Sequence, residues 1–98
     1  MNSIDKKAVI KKPIKIPFRN ITVKNIESEG FEDSNINLGY YDVYKKKINK
    51  MAEVNVYCDS KKGLVYPPFI FKQLGKDSKE LYSLEEVNEY IKDIPKYD

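Results

Sequence analysis

Three runs in the middle of the chain, residues 38–44, 52–58 and 64–71, are rich in β-branched and aromatic side chains and broadly alternate apolar with polar positions. That is the period of strands with one buried face. The segments between them, 45–50 and 59–63, are short and polar. Connections of that length join neighbouring antiparallel strands and cannot make a parallel crossover. Pro67 and Pro68 interrupt the third run and remove two backbone donors, which predicts a bulge there or an edge position.

Upstream, Ile14, Ile16 and Phe18 alternate with Lys15, Pro17 and Arg19, a strand-like pattern that Pro13 and Pro17 confine to an edge. Ile21 and Val23 resume the alternation, so 21–26 reads as the better strand. Residues 27–37, with Ser28, Gly30, Asp33, Ser34, Asn35 and Asn37, read as an exposed acidic loop.

At the other end Ser83-Leu84-Glu85-Glu86 forms a capping box, with Tyr82 and Val87 spaced for a hydrophobic staple. The apolar stripe Leu84, Val87, Ile91, Ile94 follows at helical spacing and Pro95 ends it, which predicts a helix of about three turns. The fold class is therefore α+β: an antiparallel β-meander of three to five strands with one C-terminal amphipathic helix packed on a face. In element order this resembles the arm-binding modules of phage integrases and other small DNA binders that read with a sheet.

Length and composition narrow the picture. The chain has 98 residues, 41% of them hydrophobic and 34% charged, and includes eight tyrosines and four phenylalanines. It is expected to fold as a single domain over 1–98, with 1–12 as a basic N-terminal arm free to remain flexible. Lys, Asn, Ile and Tyr are heavily used and Arg19 is the only arginine. This is the usage of AT-rich codons, so a low-GC bacterium or its phage is the expected source.

No signal-peptide core and no apolar run of about 20 residues is present, so a protein of the cytoplasm or of a host-cell interior, with no membrane partner, is expected. The lone Cys58 and the absence of histidine leave no disulfide and no Cys/His zinc site. No metal or cofactor is expected.

Charge comes in blocks. Residues 1–24 are strongly basic, 25–42 carry acids and no base, 43–62 are basic again and 63–98 are slightly acidic, for a net charge of +3.

Candidate chemistry is sparse. Without histidine the commonest general base is missing. Cys58 reads as an ordinary strand residue. Glu85 and Glu86 are explained by the helix start, and Glu32-Asp33 by a solvated loop. Gly30, Gly39, Gly63 and Gly75 are isolated turn glycines with no phosphate-loop spacing. An enzyme with carboxylate or thiol chemistry is a distant third reading.

The leading expectation is a non-enzymatic binding protein that engages a protein partner as regulator, adaptor or inhibitor. It rests on the aromatic density between Gly39 and Phe71, with Tyr40, Tyr44 and Tyr57 assigned to the solvent side of the sheet. The alternative is a nucleic-acid-associated module. It would contact phosphates through an arm carrying Lys11, Lys12, Lys15 and Arg19 and a hairpin tip carrying Lys45, Lys46, Lys47 and Lys50, with sheet tyrosines as stacking platforms.

Overall fold

Thr22 opens the first helix among the described residues. Its Oγ1 accepts from the Asn25 N–H at 3.3 Å while the Asn25 Oδ1 accepts from the Thr22 N–H at 2.8 Å. This reciprocal cap launches helix α1, Val23–Ser28. The computed structural model describes residues 16–96, and the predicted arm 1–12 lies outside them. The alternation of Ile21, Val23 and Ile26 predicted a strand here; the structure corrects it to one helical turn and a half that buries Val23 and Ile26 on the same side.

The helix ends in a Schellman motif. The Phe31 N–H donates to the Ile26 carbonyl and the Gly30 N–H to the Glu27 carbonyl, both at 3.0 Å. Gly30 takes φ +98°, a conformation that favours a residue without Cβ. Phe31 and Ile26, the two residues this motif brings together, are both buried.

Five strands follow: β1 (Glu32–Asn37), β2 (Asp42–Asn49), β3 (Ala52–Asp59), β4 (Leu64–Gln73) and β5 (Lys79–Leu81). Each pairs antiparallel with the next, giving the sheet order β1-β2-β3-β4-β5, a meander. Helix α2, Leu84–Ile91, comes last. The predicted α+β meander with a C-terminal helix is the observed fold.

One strand, β1, replaces predicted loop, and a second, β5, lies where no element was assigned. β1 is polar because it is an edge whose side chains are mostly exposed, so its backbone pairs without an apolar signature. It is bulged between Asp33 and Ile36, where Asn35 adopts φ +64° and the Ser34 hydroxyl donates to the Val43 carbonyl at 2.7 Å. Such a bulge protects a free edge. β5 is a three-residue edge at the opposite side.

In the middle strand pairs, the register jumps between Asn55 and Tyr57 where β4 carries Pro67 and Pro68, so β4 is bulged as expected. It is not an edge. Its second half is flanked by β5, and beside its first half the Phe18 N–H donates to the Val65 carbonyl at 2.8 Å.

The core lies between one face of the sheet and the two helices. Val54, Val56 and Cys58 of β3, Phe69 and Phe71 of β4, Tyr44 and Ile48 of β2, Val23 and Ile26 of α1 and Val87 and Ile91 of α2 belong to one buried cluster. The predicted stripe Leu84, Val87, Ile91, Ile94 is the face that α2 buries, with the first and last residues half-buried.

The Ser83 Oγ accepts from the Glu86 N–H at 3.0 Å as expected, but the Glu86 carboxylate reaches one residue further, to the Tyr82 N–H at 2.7 Å. Tyr82 is exposed and hydrogen-bonds Glu80, so it makes no staple with Val87. The helix also stops at Ile91, about a turn earlier than expected.

Candidate functional site

The second face of the sheet is covered by neither helix. Alternation along β3 turns Glu53, Asn55 and Tyr57 to it, opposite Val54, Val56 and Cys58. The register then places Val43 of β2 and Tyr66 of β4 on either side of Tyr57, Lys45 and Ile70 on either side of Asn55, and Ile36 of β1 beside Val43. Tyr41 stacks on Tyr57 with ring centroids 5.5 Å apart and meets Tyr66 edge-on at 5.2 Å.

The result is a shallow depression of about 220 Å³ floored by Val43, Asn55, Tyr57 and Ile70, with Ile36 and Leu38 standing exposed at its β1 side. Lys45, Glu53 and Lys72 line its other side, with Lys45 and Glu53 in an ion pair of 3.6 Å. Asn55 is only 7% exposed, and its Oδ1 has no hydrogen-bond partner. A buried acceptor left unpaired costs about 1–3 kcal/mol.

The three tyrosines assigned to the solvent side are not together. Tyr57 is half-buried on the open face. Tyr40 is exposed, but it sits in the β1–β2 turn beside Leu38 and not on a strand. Tyr44 is a correction: at 5% exposure it is a core residue on the helix side, opposite Val56. Alternation within each run was read correctly, but only the register relates one run to another, and it sets Tyr57 against Val43 instead of Tyr44. Burial, then the nearby carboxylates of Asp33 and Glu27, push the Tyr44 phenol above its ordinary range. Tyr41, Tyr66, Asn55 and Ile70 are the residues the sequence reading passed over. Within its own run Tyr41 goes with Val43, but nothing in a single run fixes which face the helices cover.

Of the lysines assigned to a hairpin tip, Lys45, Lys46 and Lys47 lie within β2, because the strand runs on to Asn49; Lys50 is in the turn, with Met51. Lys45 points to the open face and is paired with Glu53. Lys46 points to the helix side, where its aliphatic stem lies 3.7 Å from the Cβ position of Gly30. Burial lowers its ammonium pKa, and the charge of Glu29 partly opposes this. Lys47, Lys50 and Arg19 are exposed, while Lys11, Lys12 and Lys15 lie outside the described residues. The described members of this set therefore do not all share one face, though Lys47 and Lys50 line one depression.

Elsewhere, Asp42 accepts hydrogen bonds from the Ser60 hydroxyl and backbone and from the Asn37 amide, which hold its carboxyl below the usual carboxylate range and pin two turns together. Cys58 is fully buried. Burial first, then the carboxylates of Asp42, Asp33 and Glu27, push its thiol up to about 12, far from thiolate reactivity. Among the described residues no three His, Cys, Asp or Glu side chains converge as a metal site would require, and no helix is long and apolar enough to cross a membrane. No family model, curated protein or solved structure matches this chain.

Proposed function

We propose that this chain is a non-enzymatic binding protein whose open sheet face docks a protein partner with an apolar centre and an acidic rim. The observation that carries the reading is what that face displays. An antiparallel sheet with one side to solvent ordinarily alternates to polar side chains there. Here Val43, Tyr57, Tyr66 and Ile70 stand on that face beside Lys45, Glu53, Asn55 and Lys72, with Val43 and Tyr66 buried and Ile36 and Leu38 exposed at its β1 side. Aromatic and aliphatic anchors around a recess, bordered by charge, are the anatomy of a protein interface.

The border supplies the complementarity. Glu53 is already engaged by Lys45, and Lys72 is exposed beside it, so the rim presents net positive charge to an incoming acidic surface. The buried, unpaired Oδ1 of Asn55 supports the same site: a partner that reorients this amide and donates to it would relieve a cost the free protein carries. A role as regulator, adaptor or inhibitor suits a small domain that offers one such face.

The test is photo-crosslinking in cells of the source organism, with the reactive group placed at position 57 or, on the outer side of α2, at position 89. A defined adduct is expected from position 57 alone, diminished by Lys45→Glu with Lys72→Glu and unaffected by Lys92→Glu. Equal adducts from both positions, or an adduct indifferent to the rim charges, would overturn the reading.

A further inference from the structure

At one end of the sheet the β2–β3 turn, Lys50 and Met51, lies against the β4–β5 turn that begins at Leu74. The Leu74 N–H donates to the Met51 carbonyl at 2.8 Å. Met51 is 57% and Leu74 73% exposed, so two aliphatic side chains project from adjacent turn apices. Single exposed apolar residues are ordinary on protein surfaces. This pair differs in its surroundings, because Lys47, Lys50, Lys72 and Lys76 ring it, all exposed, and the one acid lining the same depression, Glu53, is in an ion pair with Lys45.

The apex is also braced. The Met51 N–H donates to the Asn49 Oδ1 at 2.7 Å, and the Asn49 amide donates to the Pro95 carbonyl at 2.7 Å, tying the turn to the segment after α2. The turn backbone that carries Met51 is thus held before anything binds, which lowers the ordering cost a ligand must meet.

We propose that this end of the sheet docks on an anionic lipid surface, with Met51 and Leu74 entering the headgroup layer and the lysines meeting the phosphates. Peripheral attachment takes two signals together, buried apolar side chains and electrostatic attraction, and this end supplies both within two adjacent turns. The same lysines could meet a nucleic-acid backbone, but single-strand binders add aromatic stacking platforms and duplex readers add arginine. The depression is lined by neither. Lysine stems are suited to the interface, where they lie along apolar surface while the ammonium stays among headgroups. The site adjoins the docking face proposed above and shares Glu53 and Lys72 with it, whereas Lys50 and Lys76 take no part in that face.

The experiment is flotation of the purified chain with vesicles of phosphatidylcholine alone or with about 30% phosphatidylserine, at salt from about 50 to about 200 mM, beside a titration of labelled duplex DNA. Partition onto the anionic vesicles alone, weakened by salt, is expected. Lys50→Gln with Lys76→Gln is expected to reduce it about 25-fold, roughly fivefold per lysine. Met51→Ser with Leu74→Ser is expected to abolish it while leaving the urea midpoint unchanged, since both side chains are exposed.

Absence of partition by the native chain, or partition untouched by either pair of changes, would overturn the proposal. So would lysine-dependent binding to the duplex without partition onto vesicles, which would assign the surface to nucleic acid. None of these outcomes bears on crosslinking from position 57, which requires no lipid.

Discussion

Strand β3 feeds both sides of the sheet, and the two sides have different fates. Val54, Val56 and Cys58 are buried with Phe69 and Phe71 and with residues of α1 and α2 in one apolar cluster. Asn55 and Tyr57, one residue away along the same backbone, face the other side among Val43, Tyr66 and Ile70, where no helix lies over them and Tyr41 packs on Tyr57 and Tyr66. The covered face is apolar because the fold needs it. The open face is apolar without that requirement, and it carries an amide oxygen that the fold leaves unpaired. One backbone thus supports a structural surface and the surface proposed for docking.

This contrast can be broken most violently from the covered side. Phe69 is fully buried between Phe18, at a centroid distance of 5.3 Å, and Phe31, at 5.6 Å. Phe69→Ala should cost about 3–5 kcal/mol, enough to unfold much of a domain whose total stability is of order 5–15 kcal/mol. Urea denaturation followed by far-UV circular dichroism checks this; a change below about 1 kcal/mol would mean the covered face is not the core.

A smaller loss is expected where α1 is fastened to that face. Gly30→Ala places a Cβ at φ +98°, next to the Lys46 stem, and should cost about 1 kcal/mol or more by the same measurement.

Cys58 reports the covered face chemically. Its thiol should ignore a thiol-specific reagent in the native protein and react stoichiometrically in urea. Its folded pKa of about 12 lies above the unfolded value, so the contribution of the buried neutral thiol is intact below the unfolded pKa, near 8.5, and is lost as pH rises through the interval up to the folded value. Stability should therefore decline from about pH 9 upward, and Cys58→Ala should flatten that decline. Rapid labelling of the native thiol would contradict the sealed face.

On the open side the signs change. Asn55→Leu removes an unpaired acceptor and should leave stability unchanged or raise it by about 1 kcal/mol, while weakening the adduct formed from position 57. A marked loss of stability would show that the amide is held by contacts the fold requires.

Much of this architecture was legible in the sequence, and the failures have physical causes. The three central strands and α2 announce themselves because each buries an apolar stripe. β1 and β5 are edge strands held by backbone pairing, which leaves little trace in side-chain pattern. α1 was hidden because Ile21, Val23 and Ile26 fit a strand as well as a short helix, and because the residue closing its capping box is Asn25 in place of the usual Glu or Gln.

Lys46 misled the reading of β2. It occupies an inward position between Tyr44 and Ile48 by laying its stem against Gly30, so a strand looked like a lysine-rich loop. The docking face was half visible. The aromatic excess pointed to the sheet, but cross-strand register decides which tyrosines share a side, and that is a property of pairing that no single run encodes.

The most direct test of the central claim is the stability of Tyr57→Ser with Ile70→Ser, measured by urea denaturation beside Val56→Ser. Outward cross-strand pairs contribute about 0.2–1 kcal/mol each. The open-face double variant should therefore stay folded, with a modest shift in midpoint, while the single change at Val56 on the covered face should cost more than both together. If the double variant unfolds instead, the apolar side chains of the open face belong to the core of the fold, and the account of a surface kept free for a partner is wrong.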